Sequence, residues 1–366
     1  MSMMAPVAHS EQTRDAAIDL VKTLAIVGVV IIHLCSFAHP FGSADWTLSV
    51  FLASAVRASV PLFFMCSGAL FLDPGRMLPT GRLWRRYIPR IAAALFVWAG
   101  FYALLDLCAA QTFTPAAFAQ KLRDLLLFRH EFHLYYLHIT LLFYALIPVV
   151  RVFTAHATQH ELGYALGIWF AVGILYPTLC TFYPFSQLSG IPTQWLLNMS
   201  WASVGYGLLG YYLKRYPLPR RGCVFLAACG LVFTFGATLL LSYRAGQLDQ
   251  RLFEGMSIGP ALMAAGIFGL CRHAVPQLRP AASAATAWLS RASFCIYLVH
   301  VLFLRLLNII VVQNEVPPPG LHNAFRGSVC SADLLGGICR AVAHSHREAL
   351  ADLTFFHTKE GIACTN

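Results

Sequence analysis

Residues 17–38 read AIDLVKTLAIVGVVIIHLCSFA, an apolar run long enough to cross a bilayer that nevertheless contains Asp19, Lys22 and His33. On a helix that turns about 100° per residue, these three side chains project within about 40° of one another along one stripe. Ionisable groups are costly in lipid and usually face the interior of a helical bundle or a wet cavity. The stretch therefore predicts a buried polar site inside a membrane protein.

The composition of the whole chain supports this interpretation. Of its 366 residues, 58% are hydrophobic and only 11% are charged, and the mean hydropathy is +0.64. Soluble enzymes are less apolar than this. The sequence contains no P-loop, which argues against ATP-driven transport.

Apolar runs near the spanning length recur along the chain and predict an all-α fold, a polytopic transmembrane bundle of about nine to ten helices. The predicted spans are residues 17–38, 48–72, 88–110, 134–153, 162–182, 195–213, 222–242, 257–275 and 292–312. The predicted domains are a cytoplasmic N-terminal segment at 1–16, a transmembrane domain at 17–312 and an atypical, disordered tail at 313–366.

Basic residues are concentrated in alternate connections between these spans. Residues 73–90 hold five arginines against one aspartate, and residues 214–221 hold four basic residues and no acid. Lys and Arg accumulate in cytoplasmic loops, so both connections and the N-terminus are predicted to lie in the cytoplasm. The net charge of +10 is explained by this bias, and no nucleic acid partner is expected.

The tail differs from the rest of the chain because it is too polar to insert as a further helix. Its cysteines and histidines have no recognised metal-ligand spacing, so we expect no metal site there. The residues considered as ligands are Cys330, Cys339, His344, His346, His357 and Cys364. Besides disorder, a shifted reading frame across the tail would also explain its composition.

His33 is the residue of the first span best suited to move a proton near neutral pH. It lies about 16 Å along the helix axis from Lys22. We predict that it deprotonates a hydroxyl acceptor as the hydroxyl attacks an acyl group, with Asp19 and Lys22 as the other catalytic residues of the stripe. The alternatives are a structural hydrogen bond for His33, snorkelling to the interface for Lys22, and pairing of Asp19 with Lys22.

Several segments carry a resemblance to a known family. They are IDLVKTLAIVGVVIIH (18–33), SVPLFFMCSGALF (59–71), WRRYIPRI (84–91), HLYYL (133–137) and SRASFCIYLVH (290–300). Together they resemble the membrane-bound acyltransferase family 3, and within it the enterobacterial common-antigen O-acetyltransferase type. The resemblance covers residues 15 to about 312.

The resemblance implies a multi-pass enzyme of the bacterial inner membrane. Such an enzyme moves an acyl group, usually acetyl from acetyl-CoA, to a hydroxyl of a surface glycan or a lipid-linked glycan. Acetyl-CoA or another acyl-CoA is then a co-substrate, and no permanently bound cofactor is implied. The expected partners are this glycan and membrane lipid, and the sequence does not indicate an oligomeric state.

The resemblance also implies roles for individual residues. The family's first helix usually carries an arginine, ten intervening residues and a histidine, a pattern that falls here on Lys22 and His33. Lysine keeps the charge but lacks the bidentate fork of arginine. The family's second basic pair corresponds to Arg86 and Arg90, one helical turn apart, which would bind the phosphates of coenzyme A. Positive-inside bias alone is the alternative explanation for this pair.

Further candidates lie in the other segments. Tyr135 and Tyr136 are expected to stack on a sugar ring and His133 to contact a hydroxyl, although an interfacial aromatic belt explains the tyrosines equally well. Ser67 is a candidate for a hydrogen bond to a ligand, with close helix packing as the favoured alternative. We interpret His300 as a structural hydrogen-bond partner between helices.

A secondary transporter or exporter of a lipid-linked sugar or acyl group is the alternative function. Transporters also place charged residues near the middle of the membrane. They usually contain an internal repeat, and none is visible here, which favours the acyltransferase.

Overall fold

The computed structural model describes residues 14–35, 39–111, 113–129, 131–188 and 197–313. Apart from short 3₁₀ turns, the regular elements in these ranges are the following helices. They are α1 (Ala16–Leu34), α2 (Ala44–Val56), α3 (Ser59–Phe71), α4 (Thr80–Ala109), α5 (Pro115–Leu126), α6 (Tyr135–His156), α7 (Gln159–Leu179), α8 (Met199–Arg215), α9 (Arg220–Ala245), α10 (Ile258–Ala274) and α11 (Pro280–Gln313).

Among the described residues, 8 helical segments are long and apolar enough to cross a membrane. This confirms the predicted polytopic bundle of helices. The predicted span at 195–213 corresponds to α8, which has 17 residues and is shorter than the 8 segments. The first compact unit of the chain runs to Val301, and the second begins at Leu302 and is described up to Gln313. Most of the predicted tail and N-terminal segment lies outside the described residues.

The second predicted span, at 48–72, is not one continuous helix. It consists of α2 and α3, which are separated at Arg57 and Ala58. Pro61 explains the break because proline has no N–H with which to bond the carbonyl of the residue four positions earlier, here Arg57. The amide of Leu62 does bond the carbonyl of Ala58, at 2.9 Å, so α3 is regular from there. The break places an arginine inside the apolar segment.

Proline also explains two wider turns within long helices. The π-helical segments Leu83–Tyr87 in α4 and Phe170–Leu175 in α7 lie just before Pro89 and Pro177. Each proline leaves a carbonyl without its usual donor, and a π turn accommodates the mismatch.

Two differences from the predicted spans concern helix ends. α11 begins at Pro280 rather than near residue 292, so its first turns lie inside the predicted connection at 273–291. The connection at 111–133 contains an extra helix, α5, which is capped by Thr114 accepting a hydrogen bond of 3.2 Å from the amide of Ala117.

Close backbone contact joins α3 to α8. A Cβ atom added to Gly68 would lie 1.8 Å from the carbonyl oxygen of Gly207, and one added to Gly210 would lie 2.1 Å from the carbonyl oxygen of Met65. Small residues allow membrane helices to approach in this way. The packing explanation given for the second span therefore holds at Gly68.

Arg151 of α6 fixes the loop between α3 and α4. Its guanidinium donates hydrogen bonds to the carbonyl oxygens of Phe71 at 2.7 Å and Asp73 at 2.8 Å. It also donates to the carbonyl oxygen of Arg76 at 2.7 Å. The loop side chains Asp73 and Arg76 are thereby held at the rim of a cavity.

Candidate active site

A cavity of about 830 Å³ opens among α1, α3, α4, α6, α8 and α11. Its wall carries more basic than acidic side chains. The basic residues are Arg14, Lys22, Arg76, Arg90, Lys214 and Arg291, and the acidic residues are Asp15, Asp19 and Asp73. A cavity with this charge balance suits a large anionic ligand.

Three connections and the N-terminal end of α1 meet at the rim of this cavity. Lys214 lies 3.6 Å from the carboxylate of Asp73, and Arg14 donates a hydrogen bond of 2.6 Å to the carbonyl oxygen of Ala287. The basic connections at 73–90, 214–221 and 273–291 are therefore found at one end of the bundle, together with the start of α1. We call this end the N-terminal face.

Asp19 is buried in the wall, with 7% of its surface exposed. Its carboxylate forms an ion pair with Arg14 and accepts a hydrogen bond of 2.7 Å from the hydroxyl of Ser290. The bond from the guanidinium to this carboxylate raises the pKa of Arg14. Asp19 is thus paired with Arg14 and Ser290, and not with Lys22 on its own helix.

Lys22 lies one turn deeper and lines the cavity. Within the part of the chain that the structure describes, its ammonium group forms no ion pair and no hydrogen bond. The ammonium group of Lys22 is therefore available to bind an anionic group in the cavity.

The structure separates the two arginines of the second basic pair. Both are exposed, but Arg90 lines the cavity and Arg86 lies outside the lining. The π-helical segment Leu83–Tyr87 contains Arg86 and changes the angle between residues four positions apart. Arg90 rather than Arg86 is therefore placed to contact a molecule in the cavity.

The deep end of the cavity is closed by aromatic rings. Tyr136 of α6 and Tyr297 of α11 are the deepest lining residues of their helices, and their ring centroids lie 5.4 Å apart. Phe63 packs against Tyr136 with a centroid distance of 6.0 Å. We call Tyr136, Tyr297 and Phe63 the aromatic floor. Ser67 lies on the wall one turn above Phe63.

Three histidines lie directly beyond the aromatic floor. The ring centroid of His300 is 5.0 Å from that of His33 and 5.4 Å from that of His133. Tyr297 links this histidine cluster to the floor because its hydroxyl donates a hydrogen bond to the carbonyl oxygen of His133. His33 itself is half-buried and does not line the cavity.

The histidine cluster does not form a metal centre in this structure. Among the described residues, no three His, Cys, Asp or Glu side chains are arranged to hold a metal ion. Imidazoles so close together suit proton transfer and hydrogen bonding.

Residues 15–332 match the sequence model of a protein family, and the description of that family is acyltransferase domain. The chain belongs to acyltransferase family 3. Comparison with curated proteins and with solved structures found no match. Family membership and the apolar helices together identify a multi-pass membrane acyltransferase. The matched region includes the histidine cluster and every charged residue of the cavity wall except Arg14.

The acyltransferase contains one further charged residue near His33 that the sequence analysis missed. Arg57 lies at the break between α2 and α3, and its guanidinium carbon is 4.0 Å from the ring centroid of Phe253. It interacts electrostatically with His33 and with Glu254. An arginine within an apolar run, four residues before a proline, was the signal that could have identified it.

The remaining candidates of the acyltransferase are split between two environments. His133 is buried, with 2% exposure, and its ring packs edge-on against Tyr102 at 5.2 Å. Tyr136 belongs to the aromatic floor, whereas its neighbour Tyr135 is 49% exposed. The two tyrosines therefore do not form one stacking surface.

Proposed function

We propose that this membrane acyltransferase moves an acetyl group from acetyl-CoA to a hydroxyl of a cell-surface carbohydrate at the bacterial inner membrane. The proposal depends above all on one observation: a cavity lined by basic residues ends at an aromatic floor, and His33 lies in the histidine cluster directly behind it. The N-terminal face is cytoplasmic in this proposal, as the basic connections indicate.

The charge of the cavity supports an acyl-CoA donor. Arg90, Arg76 and Lys214 lie at the rim, where they would bind the phosphate groups of coenzyme A through charge-assisted hydrogen bonds. The volume of about 830 Å³ falls in the upper part of the usual range for small-molecule sites, about 300–1,000 Å³. Lys22 would hold an anionic part of the donor deeper in the cavity.

The position of the histidine cluster supports a reaction in the half of the bundle farther from the N-terminal face. His33 lies about 21 Å along α1 from Asp19 at the mouth. A thioester at the aromatic floor would therefore be close to the cluster, while a carbohydrate would approach from the opposite face, where Tyr135 is exposed. Tyr136 and Tyr297 must shift for the thioester and the hydroxyl to meet.

The proposed reaction uses His33 as a general base. An imidazole nitrogen of His33 takes the proton of the acceptor hydroxyl as the oxygen attacks the thioester carbon. The new C–O bond forms, the C–S bond breaks, and the imidazolium returns its proton to the departing thiolate. Arg57 would stabilise the negative charge that develops on the carbonyl oxygen.

Membership of the acyltransferase family favours this function over the transporter alternative. The common-antigen type, the acetyl group and the carbohydrate acceptor remain predictions from the sequence.

The test uses purified full-length protein reconstituted into liposomes, with acetyl-CoA labelled in the acetyl group and isolated surface glycan. We expect label in the glycan with the natural protein and a loss of about 10²- to 10⁴-fold with His33→Ala, the usual contribution of a general base. His273 is a matched control because it bonds the carbonyl oxygen of Leu218 at 2.9 Å and does not line the cavity. His273→Gln should keep the activity. If the folded natural protein labels no glycan, the proposed function is wrong.

A further inference from the structure

His300 is a buried imidazole whose ring contacts that of His33. Only 4% of its surface is exposed, and its ring is tilted 33° to that of His33 at a centroid distance of 5.0 Å. From the sequence alone, a structural role is predicted for it. Its surroundings indicate a role in the chemistry.

One nitrogen of His300 has a defined partner. Nδ1 lies 2.7 Å from the carbonyl oxygen of Tyr297, one turn earlier in α11. A carbonyl oxygen only accepts hydrogen bonds, so Nδ1 carries the proton. In a neutral imidazole the other nitrogen, Nε2, then has a lone pair and can act only as an acceptor.

The other nitrogen is buried without a partner. Among the residues that the structure describes, no group donates a hydrogen bond to Nε2 of His300. Leaving a buried acceptor unsatisfied costs about 1–3 kcal/mol. Buried polar atoms of this kind are uncommon in folded proteins, and a catalytic role is one explanation for them.

The groups around this acceptor come from three parts of the chain. The rings of His33 in α1 and of His133, just before α6, lie 5.0 and 5.4 Å from the His300 ring between centroids. Tyr297 of its own helix lies 5.9 Å away. Arg57 acts on His33 from the break between α2 and α3. His33 is thus the imidazole nearest to His300.

We propose that His300 is a positioning residue for His33. Its Nε2 accepts a hydrogen bond from one ring nitrogen of His33, which fixes the tautomer of His33 and directs the lone pair of the other nitrogen at the acceptor hydroxyl. When His33 takes the hydroxyl proton, the same bond stabilises the resulting imidazolium. The bond forms as the site closes on its substrates, because catalytic hydrogen bonds are often long in empty sites. This inference rests on the proposed function.

Asparagine and glutamine separate this role from a structural one. The amide of asparagine reaches only the position of Nδ1, so His300→Asn keeps the bond to the carbonyl of Tyr297 and loses the acceptor at Nε2. The amide of glutamine reaches the position of Nε2, so His300→Gln keeps an acceptor that faces His33.

The experiment measures steady-state acetyl transfer by the natural protein and both variants, with labelled acetyl-CoA and surface glycan. We expect kcat of His300→Asn to fall about 10- to 100-fold with an unchanged KM for acetyl-CoA. His300→Gln should stay within about fivefold of the natural kcat. His273→Gln, which alters a histidine bonded to a backbone carbonyl outside the site, should match the natural protein.

Two results would overturn the inference while leaving the proposed function intact: natural kcat in His300→Asn, or higher activity in His300→Asn than in His300→Gln. A variant that melts well below the natural protein in detergent is replaced in the comparison by His300→Ser, which also lacks an acceptor at Nε2 and should be as slow as His300→Asn. A natural protein without transfer activity would instead contradict the proposed function.

Discussion

The hydroxyl of Ser290 in α11 donates a hydrogen bond of 2.7 Å to the carboxylate of Asp19 in α1. The two residues are 271 positions apart in sequence, so the bond joins the ends of two distant helices at the mouth of the cavity. The same carboxylate holds Arg14. Asp19 therefore anchors the rim of the cavity, and its negative charge is already compensated there.

Asp19→Asn should destabilise the protein by about 1 kcal/mol, because the charged partner of Arg14 is lost while Arg14 remains partly in water. The melting temperature in detergent measures this. Asp249→Asn is the matched control, since Asp249 pairs with Arg251 at 2.6 Å outside the cavity. Both variants should lower the melting temperature, but only Asp19→Asn should raise the KM for acetyl-CoA. Equal KM values would contradict the anchoring role at the rim.

Arg90→Ala should raise the KM for acetyl-CoA about tenfold, which corresponds to about 1.4 kcal/mol of lost binding. The reason is that Arg90 lines the cavity and would bind a phosphate group. Arg86→Ala provides the comparison, because Arg86 has the same charge four residues away and lies outside the lining. A larger effect at Arg86 than at Arg90 would show that the donor binds elsewhere.

Lys22→Arg should keep the transfer rate within about threefold if only the positive charge is used, since arginine retains that charge. Lys22→Gln has a similar length without the charge and should lose about tenfold or more in kcat/KM. Initial rates at low acetyl-CoA concentration measure this. Full activity in Lys22→Gln would remove Lys22 from donor binding.

Arg57→Gln should lower kcat about 10²- to 10³-fold, the usual effect of removing one group that stabilises a developing negative charge. Single-turnover transfer measures the chemical step. Arg244→Gln, at the exposed end of α9, is the control and should leave kcat unchanged. A rise in KM without a loss of kcat would assign Arg57 to binding instead.

Gly68→Ala should destabilise the bundle by about 1–3 kcal/mol or more, because the added Cβ would lie 1.8 Å from a backbone oxygen that cannot move aside. Gly236→Ala in α9 is the control, since a Cβ there meets nothing within 4 Å, and alanine is the better helix former by about 0.5–1 kcal/mol. Thermal unfolding in detergent compares the two. Equal stability would contradict the close contact of α3 with α8.

The sequence was sufficient to predict most of the membrane-spanning helices and the face at which the basic connections meet. Apolar runs define spans by length and composition alone, and alternating basic connections place their ends together. The sequence also predicted that Asp19, Lys22 and His33 share a stripe, and of these three Asp19 and Lys22 line the cavity whereas His33 does not. These features depend on periodicity within one segment, which is visible without any knowledge of the fold.

Contacts between distant segments could not be predicted in this way. The nearness of His300 to His33 depends on how α11 packs on α1, and no local pattern encodes that packing. The separation of Arg86 from Arg90 depends on a π turn. Pro89, which causes this turn, is present between them in the sequence, but its effect on the helix was not predicted. The ion pair of Arg14 with Asp19 was missed because Asp19 was paired with its nearest cation in sequence.

The aromatic floor has a consequence for the energetics of the cell. A water-filled passage that continued through the bundle would let protons flow down their electrochemical gradient and dissipate the membrane potential. Tyr136 and Tyr297 end the passage partway with closely packed rings. In a membrane that stores energy as a proton gradient, the enzyme would thus let a donor from one side react with an acceptor from the other side. The closed rings would prevent protons from leaking through the same passage.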